Sequence, residues 1–142
     1  MRWSHRAREH LPSPPRWLDR YDAVADHLSS LPTTLIHGDF TPANIIVAGR
    51  RMCPIDWERA AIGPPVLDLG SIIAGLRPEQ AQSMIDAYAA VTSQPIDRRS
   101  LTMAQLHLCV QWLGWAPGDW QPTHQHRDWL SDADHLAGEI GL

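Results

Sequence analysis

Two short stretches decide how this chain folds: residues 37–44, HGDFTPAN, and residues 55–58, IDWE. Between them lie two β-type segments joined by a turn, which predicts an antiparallel hairpin. Asn44 immediately precedes the first strand and Asp56 immediately follows the second. Because the two ends of an antiparallel hairpin meet, both side chains should lie beside the loop that holds Asp39. Three oxygen-bearing side chains are therefore predicted to converge.

The order and spacing of these side chains favour phosphoryl transfer. Mg²⁺ takes oxygen ligands from one or two side chains and completes its shell with phosphate oxygens and water. In the catalytic loop of protein kinases, an Asp accepts the proton of the attacking group, an Asn five residues later binds Mg²⁺, and a further Mg²⁺-binding Asp follows. Asp39, Asn44 and Asp56 occur in that order. An Asx-rich turn with capping side chains is the alternative interpretation.

The residues around these positions separate the chain from protein kinases. Gly38 stands where protein kinases have Arg, and the HGDxxxxN form resembles the aminoglycoside phosphotransferase and choline kinase superfamily. Residues 55–70, IDWERAAIGPPVLDLG, are similar to that family's metal-binding Asp and the Gly-x-Pro-x-x-Asp-Leu segment that follows it. The resemblance is specific over residues 34–76 and extends to the flanking helices only in general character.

The resemblance implies a role for each matching residue. Asp39 would orient and deprotonate the hydroxyl or amine of a small-molecule acceptor. Asn44 and Asp56 would hold Mg²⁺ against the phosphates of ATP or another nucleoside triphosphate. His37 is interpreted as a structural residue of the loop. Asp68 lies in an apolar helix start, where a carboxylate needs partners, and is assigned to bonding the backbone of the catalytic loop.

Two further residues are candidates for contact with the substrate or a second metal. Glu58 follows the metal-binding Asp closely, although a solvated carboxylate at the end of the strand is the favoured interpretation. Trp120 lies in a predicted loop, away from the helical spacing that favours packing. Trp112, Trp115 and Trp129 have that spacing and are predicted to line the core or a pocket wall.

The periodicity outside the motifs predicts a mainly α-helical protein with one small β-hairpin. Residues 1–142 are interpreted as a single domain, a protein-kinase-like C-terminal lobe in three parts. A leading helix at 13–31 precedes the catalytic loop and metal-binding hairpin at 34–56, and a helical subdomain occupies 57–142. Within that subdomain, the predicted helices span residues 66–76, 78–91, 97–115 and 126–140.

The nucleotide-binding part of such kinases is expected to be absent from this chain. All twelve basic residues are Arg, and the sequence contains no Lys to contact nucleotide phosphates. It also has no Gly-x-Gly-x-x-Gly loop, and only about one helix is predicted before the catalytic loop. We therefore expect no N-terminal lobe, an unusually apolar surface where that lobe would pack, weak ATP binding by the chain alone, and a separate N-lobe chain as a candidate partner.

Composition and charge narrow the class of partner. A net charge of −4 and an isoelectric point near 6.0 argue against nucleic acid binding, which needs a broad basic surface. No apolar run predicts a signal peptide or a membrane span, and a cytoplasmic protein is expected. Cys53 and Cys109 lie far apart among apolar neighbours and are predicted to be reduced, buried thiols.

Three functions follow from the sequence as hypotheses. The first is an ATP- and Mg²⁺-dependent phosphotransferase of the aminoglycoside phosphotransferase type, present as a truncated or half-enzyme chain. The second is a non-catalytic remnant or binding module of the same fold. The third is a metallohydrolase that uses His37, Asp39 and Asp56, which leaves Asn44 and Asp68 without a role.

Overall fold

The computed structural model describes residues 3–93, 95–115 and 127–142. Within these residues the chain is mainly helical, as predicted. The α-helices are α1 (Trp3–His10), α2 (Tyr21–Ser30), α3 (Val66–Ile73), α4 (Pro78–Thr92), α5 (Arg98–Trp115) and α6 (Trp129–Glu139). The strands are β1 (Thr34–Ile36), β2 (Ile45–Ala48), β3 (Arg51–Pro54) and β4 (Ala61–Gly63). Short 3₁₀ turns occupy Arg16–Arg20, Pro42–Asn44 and Trp57–Arg59.

Helix α5 is the centre of the core, and α1, α2, α3 and α6 pack around it. Leu106, Cys109 and Val110 are fully buried on α5. Gly114 near its end allows α1 to approach closely, since a Cβ there would lie 2.7 Å from the carbonyl oxygen of Trp3. No residue of α5 from Ser100 to Gly114 is exposed, as expected for a helix with neighbours on every side. None of the described helices is long and apolar enough to cross a membrane.

Two small antiparallel sheets flank the catalytic loop. The predicted hairpin is confirmed: β2 pairs with β3 from Ile45↔Pro54 to Ala48↔Arg51. The second sheet, which the sequence did not predict, pairs β1 with β4 from Thr34↔Gly63 to Ile36↔Ala61. This second pairing brings the residues after the metal-binding motif back beside the start of the catalytic loop.

The N-terminal region differs most from its prediction. The predicted helix over 13–31 is divided into the 3₁₀ turn Arg16–Arg20 and helix α2, because Arg20 leaves helical geometry at φ −104°, ψ 6°. The turn places Trp17 in the core, where its indole Nε1 donates a hydrogen bond of 2.6 Å to Asp134 Oδ1. Helix α1 was not predicted. Its sequence is mostly polar and charged, and Ala7 is buried through contact with α5.

The two cysteines lie in different environments. Cys109 is buried in α5, and this burial raises the pKa of its thiol to about 12. Cys53 is exposed on β3, contrary to the prediction, because the hairpin projects from the core instead of packing into it. The apolar neighbours of Cys53 are exposed with it, and they form a surface described below.

Candidate active site

Near the start of the catalytic loop, Gly38 has a backbone conformation that other residues do not adopt readily. Gly38 has φ +78°, and a Cβ built on it would lie 2.3 Å from the carbonyl oxygen of Arg59. Arg59 is brought there by the pairing of β1 with β4. The glycine of the HGD motif is therefore required both by its positive φ and by the close approach of the 3₁₀ turn that ends at Arg59.

Asp68 binds the backbone of the loop with both carboxylate oxygens. Its Oδ2 accepts a hydrogen bond of 2.6 Å from the backbone N–H of His37, and its Oδ1 accepts one of 2.9 Å from Gly38. Asp68 lies in the first turn of α3 and is half-buried. Since hydrogen bonds to an ionised carboxylate are stronger than neutral ones, this pair ties the start of the loop to α3.

His37 joins the catalytic loop to the end of the hairpin. Its side chain is 2% exposed, and its Nε2 donates a hydrogen bond of 2.8 Å to the carbonyl oxygen of Ile55. The ring also contacts Phe40 and Trp57, with centroids 5.7 and 4.6 Å away. Nδ1 has no hydrogen-bond partner among the described residues. With Nε2 held by a backbone carbonyl, His37 is placed to support the position of Asp56, the next residue after Ile55.

Asp39 and Asn44 are hydrogen-bonded to each other. The Nδ2 of Asn44 donates to the Oδ2 of Asp39 at 3.0 Å and to its carbonyl oxygen at 2.9 Å. The same carbonyl accepts the N–H of Thr41 at 2.9 Å, which closes the loop on itself. Because the amide nitrogen of Asn44 is used in this way, its Oδ1 is the atom available to a cation.

Asp56 reaches the same region from the hairpin. The backbone carbonyl of Asn44 accepts the N–H of Ile55 at 2.9 Å, so Asp56 follows directly after the residue opposite Asn44. Asp56 adopts a left-handed conformation, φ 64° and ψ 59°, and its side chain is exposed. Asp tolerates this conformation better than most residues, at a cost of about 1 kcal/mol or more. The turn directs the chain into Trp57–Arg59 and leaves the carboxylate open to solvent.

The oxygen atoms of this site fit a cation that takes its remaining ligands from a substrate. Among residues 3–93, 95–115 and 127–142, no three His, Cys, Asp or Glu side chains are grouped closely enough to hold a metal ion by themselves. One amide oxygen and one or two carboxylates, completed by phosphate oxygens, suit Mg²⁺. The metallohydrolase hypothesis loses support, because His37 is buried and its Nε2 is occupied by a carbonyl.

The two remaining candidates are Glu58 and Trp120. Glu58 is exposed in the 3₁₀ turn after Asp56. Trp120 lies outside the described residues. Their predicted contacts with a substrate or second metal remain predictions.

A cavity of about 540 Å³ opens beside residues 41–43 of the loop, and we call it the aromatic cavity. Thr41, Pro42 and Ala43 of the loop form one wall, and α3, α5 and α6 form the others. Trp112 and Trp129 line it, as the spacing of the tryptophans predicted for a pocket wall. Of its two charged residues, Asp132 belongs to a group of acidic residues for which the sequence allows either attraction of a cationic acceptor or a solvated helix face. Arg127 was not identified from the sequence, since nothing local marks it as a partner of a site 85 residues earlier in the chain.

The arrangement of the helices and the geometry of the loop are those of a kinase-like phosphotransferase. The sequence profile of the APH family, described as the phosphotransferase enzyme family, matches residues 1–104, and the chain belongs to this family. No protein with a curated function matches the sequence.

Solved structures show the same fold. LicA in complex with AMP aligns with a TM-score of 0.70 at 13% identity, over 99% of this chain and 54% of that chain. Choline kinase LicA from Streptococcus pneumoniae aligns with a TM-score of 0.67, 13% identity, and 99% and 55% coverage. A choline/ethanolamine kinase family protein from Mesorhizobium loti aligns with a TM-score of 0.61 at 17% identity, over 99% of this chain and 53% of that chain. The chain thus spans about half the length of these kinases.

Proposed function

We propose that this chain is the acceptor- and metal-binding part of an ATP- and Mg²⁺-dependent phosphotransferase that acts on a hydroxyl or amine of a small molecule. The observation that carries the proposal is the hydrogen-bonded pair of Asp39 and Asn44 held beside Asp56. The family membership and the likeness to choline kinases support it. The proposed lobe is the C-terminal, catalytic-loop lobe.

In this proposal, Asp39 positions the acceptor. Its carboxylate accepts a hydrogen bond from the acceptor O–H or N–H and takes that proton as the bond from the acceptor to phosphorus forms and the bond to the leaving nucleoside diphosphate breaks. The amide of Asn44 fixes the carboxylate in one orientation. Asn44 Oδ1 and the Asp56 carboxylate would hold Mg²⁺, which when bound neutralises phosphate charge.

The proposal requires a nucleotide-binding lobe, and the surface around the hairpin supports one. Seven large apolar side chains are exposed on or beside the two sheets, and we call this set the apolar face. It consists of Leu35, Ile46, Val47, Met52, Ile55, Trp57 and Ile62, which are 40–73% exposed. Such a concentration of exposed apolar side chains around the two sheets is typical of an interface. We propose that its occupant is the nucleotide-binding lobe, carried by a separate chain or by a longer form of this polypeptide, which also supplies the cation for the phosphates.

The test combines this chain with the isolated nucleotide-binding lobe of a family member. We expect weak Mg²⁺-ATP binding and no turnover by the chain alone, and phosphate transfer to at least one acceptor in a panel of amino alcohols, sugars and aminoglycosides once the lobe is added. Asp39→Asn should lower that turnover by about 100-fold or more without changing nucleotide affinity. Asp86→Asn, on the exposed face of α4, is the matched control.

Two results would contradict the proposal. If Asp39→Asn and Asp86→Asn turned over equally, the role assigned to Asp39 would be wrong. If the assembled pair bound Mg²⁺-ATP but phosphorylated nothing in the panel, the chain would be interpreted as a non-catalytic binding module instead of part of an enzyme.

A further inference from the structure

The aromatic cavity contains a cationic side chain of the protein, Arg127, which lies against one of its tryptophans. The rings of Trp112 and Trp129 are stacked, with centroids 5.3 Å apart and an interplanar angle of 12°. The guanidinium carbon of Arg127 lies over the ring of Trp129, 4.5 Å from its centroid. This distance is within the range of a cation–π interaction. The ring face that an external cation would use is therefore occupied by a residue of the chain itself.

Arg127 is held in this position by a carboxylate. Its Nε donates to Oδ2 of Asp132, one turn into α6, and the two side chains form an ion pair. The Arg127 side chain is 25% exposed and that of Asp132 is 40% exposed. The pair neutralises the only charges among the described residues that line the cavity. A positively charged ligand would have to displace Arg127 both from the ring and from its counter-ion.

A neutral polar residue forms part of the wall of the same cavity. Ser71 of α3 lines its wall and is 7% exposed, and its Oγ has no hydrogen-bond partner among the described residues. Ser71 also lines a smaller cavity of about 160 Å³ beneath the loop. Buried hydroxyls are normally hydrogen-bonded, and this Oγ adds polarity to the wall but no charge that would attract a cation.

We propose that the aromatic cavity binds the body of an acceptor that carries no fixed positive charge, and that Arg127 is the residue that sets this specificity. The inference rests on the proposed function and narrows its acceptor to uncharged hydroxyl compounds. Asp132 has a positioning role, because it keeps the guanidinium over Trp129. Removing the charge of Arg127 would leave an aromatic face beside an unpaired carboxylate, which together form a site for a quaternary ammonium.

The test compares two probes of the same shape that differ in charge. Choline and its neutral isostere 3,3-dimethylbutan-1-ol are titrated into the full chain without nucleotide, and binding is followed by tryptophan fluorescence and by calorimetry. The parent chain should bind the neutral alcohol more tightly than choline, by about tenfold. Arg127→Gln and Arg127→Ala should reverse the preference. Arg127→Gln combined with Asp132→Asn should lose the gained choline binding. Arg98→Ala, an exposed Arg that bonds Gln82, should behave as the parent.

The result that would overturn the inference is equal choline binding by the parent and both Arg127 variants, whether strong or undetectable. Circular dichroism and thermal unfolding establish that each variant is folded, and the two substitutions at Arg127 guard against one that is not. Because the readout is binding without ATP, a failure of phosphoryl transfer would leave this preference unchanged. Conversely, an active enzyme with a cationic acceptor would overturn the inference and leave the proposed function standing.

Discussion

Gly38 shows how the identity of one residue in the motif depends on a turn that lies about twenty residues later in the sequence. The backbone of the loop turns with φ +78° at this position, and the carbonyl oxygen of Arg59 lies where a Cβ would be. Asp68 then accepts the N–H of Gly38 and of His37. The conformation of the loop is therefore fixed at His37 and Gly38, the two residues before Asp39. Its orientation depends on contacts from α3 and from the residues before β4.

Gly38→Ala should destabilise the protein. The added Cβ meets a backbone oxygen at 2.3 Å and the positive φ is unfavourable for Ala, so we expect a loss of about 2 kcal/mol or more in the free energy of unfolding. Urea unfolding followed by circular dichroism measures it. Gly138→Ala is the control, since this helical position has open space around it and should be neutral or slightly stabilised. Equal effects of the two substitutions would contradict the explanation.

At the scale of elements, α2 is joined to α5 by a buried polar pair. The hydroxyl of Tyr21 is hydrogen-bonded to Nδ1 of His107, and the two rings are nearly parallel with centroids 6.2 Å apart. Burial and, to a smaller extent, the charge of Arg59 lower the pKa of His107 to about 4. Burial also raises the pKa of Tyr21 above its usual value, with a smaller contribution from Asp22. Both groups are therefore uncharged in the folded protein at neutral pH.

This pair makes stability depend on pH. The folded-state pKa of His107 is lower than its unfolded value, so its contribution is complete above about pH 6.5 and is lost as pH falls towards 4. We expect the free energy of unfolding to decrease by about 2 kcal/mol between pH 7 and pH 5 from this residue. Urea titrations at pH 7, 6 and 5 measure the slope. His107→Gln should flatten it, whereas His135→Gln on the exposed face of α6 should not. A slope unchanged in His107→Gln would rule out His107 as its source.

At the scale of the whole molecule, the apolar side chains divide into two populations. One surrounds α5 and is buried. The other is the apolar face on the two sheets, which leaves Val47 and Ile62 67% and 73% exposed. The sequence led us to expect an apolar surface, and the structure places it around the hairpin. Strands this short with exposed apolar faces gain little by themselves, which favours packing against another lobe.

Val47→Asp should weaken the binding of the added nucleotide-binding lobe without weakening the chain itself. An ionised carboxylate buried at that interface has no partner, so we expect at least about tenfold lower affinity by calorimetry. The stability of the isolated chain should be unchanged, because Val47 is 67% exposed. Val91→Asp on α4 is the matched control, at 86% exposure and away from the apolar face. Equal affinities for the two variants would mean that the lobe binds elsewhere.

The sequence by itself determined the parts of the protein that depend on neighbours in the chain. The hairpin and α3 to α6 follow from local periodicity, and the Asp39–Asn44 pair lies within one short loop. The role of Asp68 could also be predicted, because a carboxylate at an apolar helix start needs partners and the resemblance indicated the catalytic loop as the partner.

Only the tertiary structure decided the rest, since it depends on contacts between residues far apart in the sequence. Helix α1 has few apolar residues and forms against α5; β4 is a strand only because β1 pairs with it. The exposure of Cys53 follows from where the hairpin projects, which no local pattern records. The placement of Arg127 over Trp129, beside a loop 85 residues earlier, required three helices to be packed first. The motif therefore identifies the family, while packing decides the shape and charge of the cavity beside it.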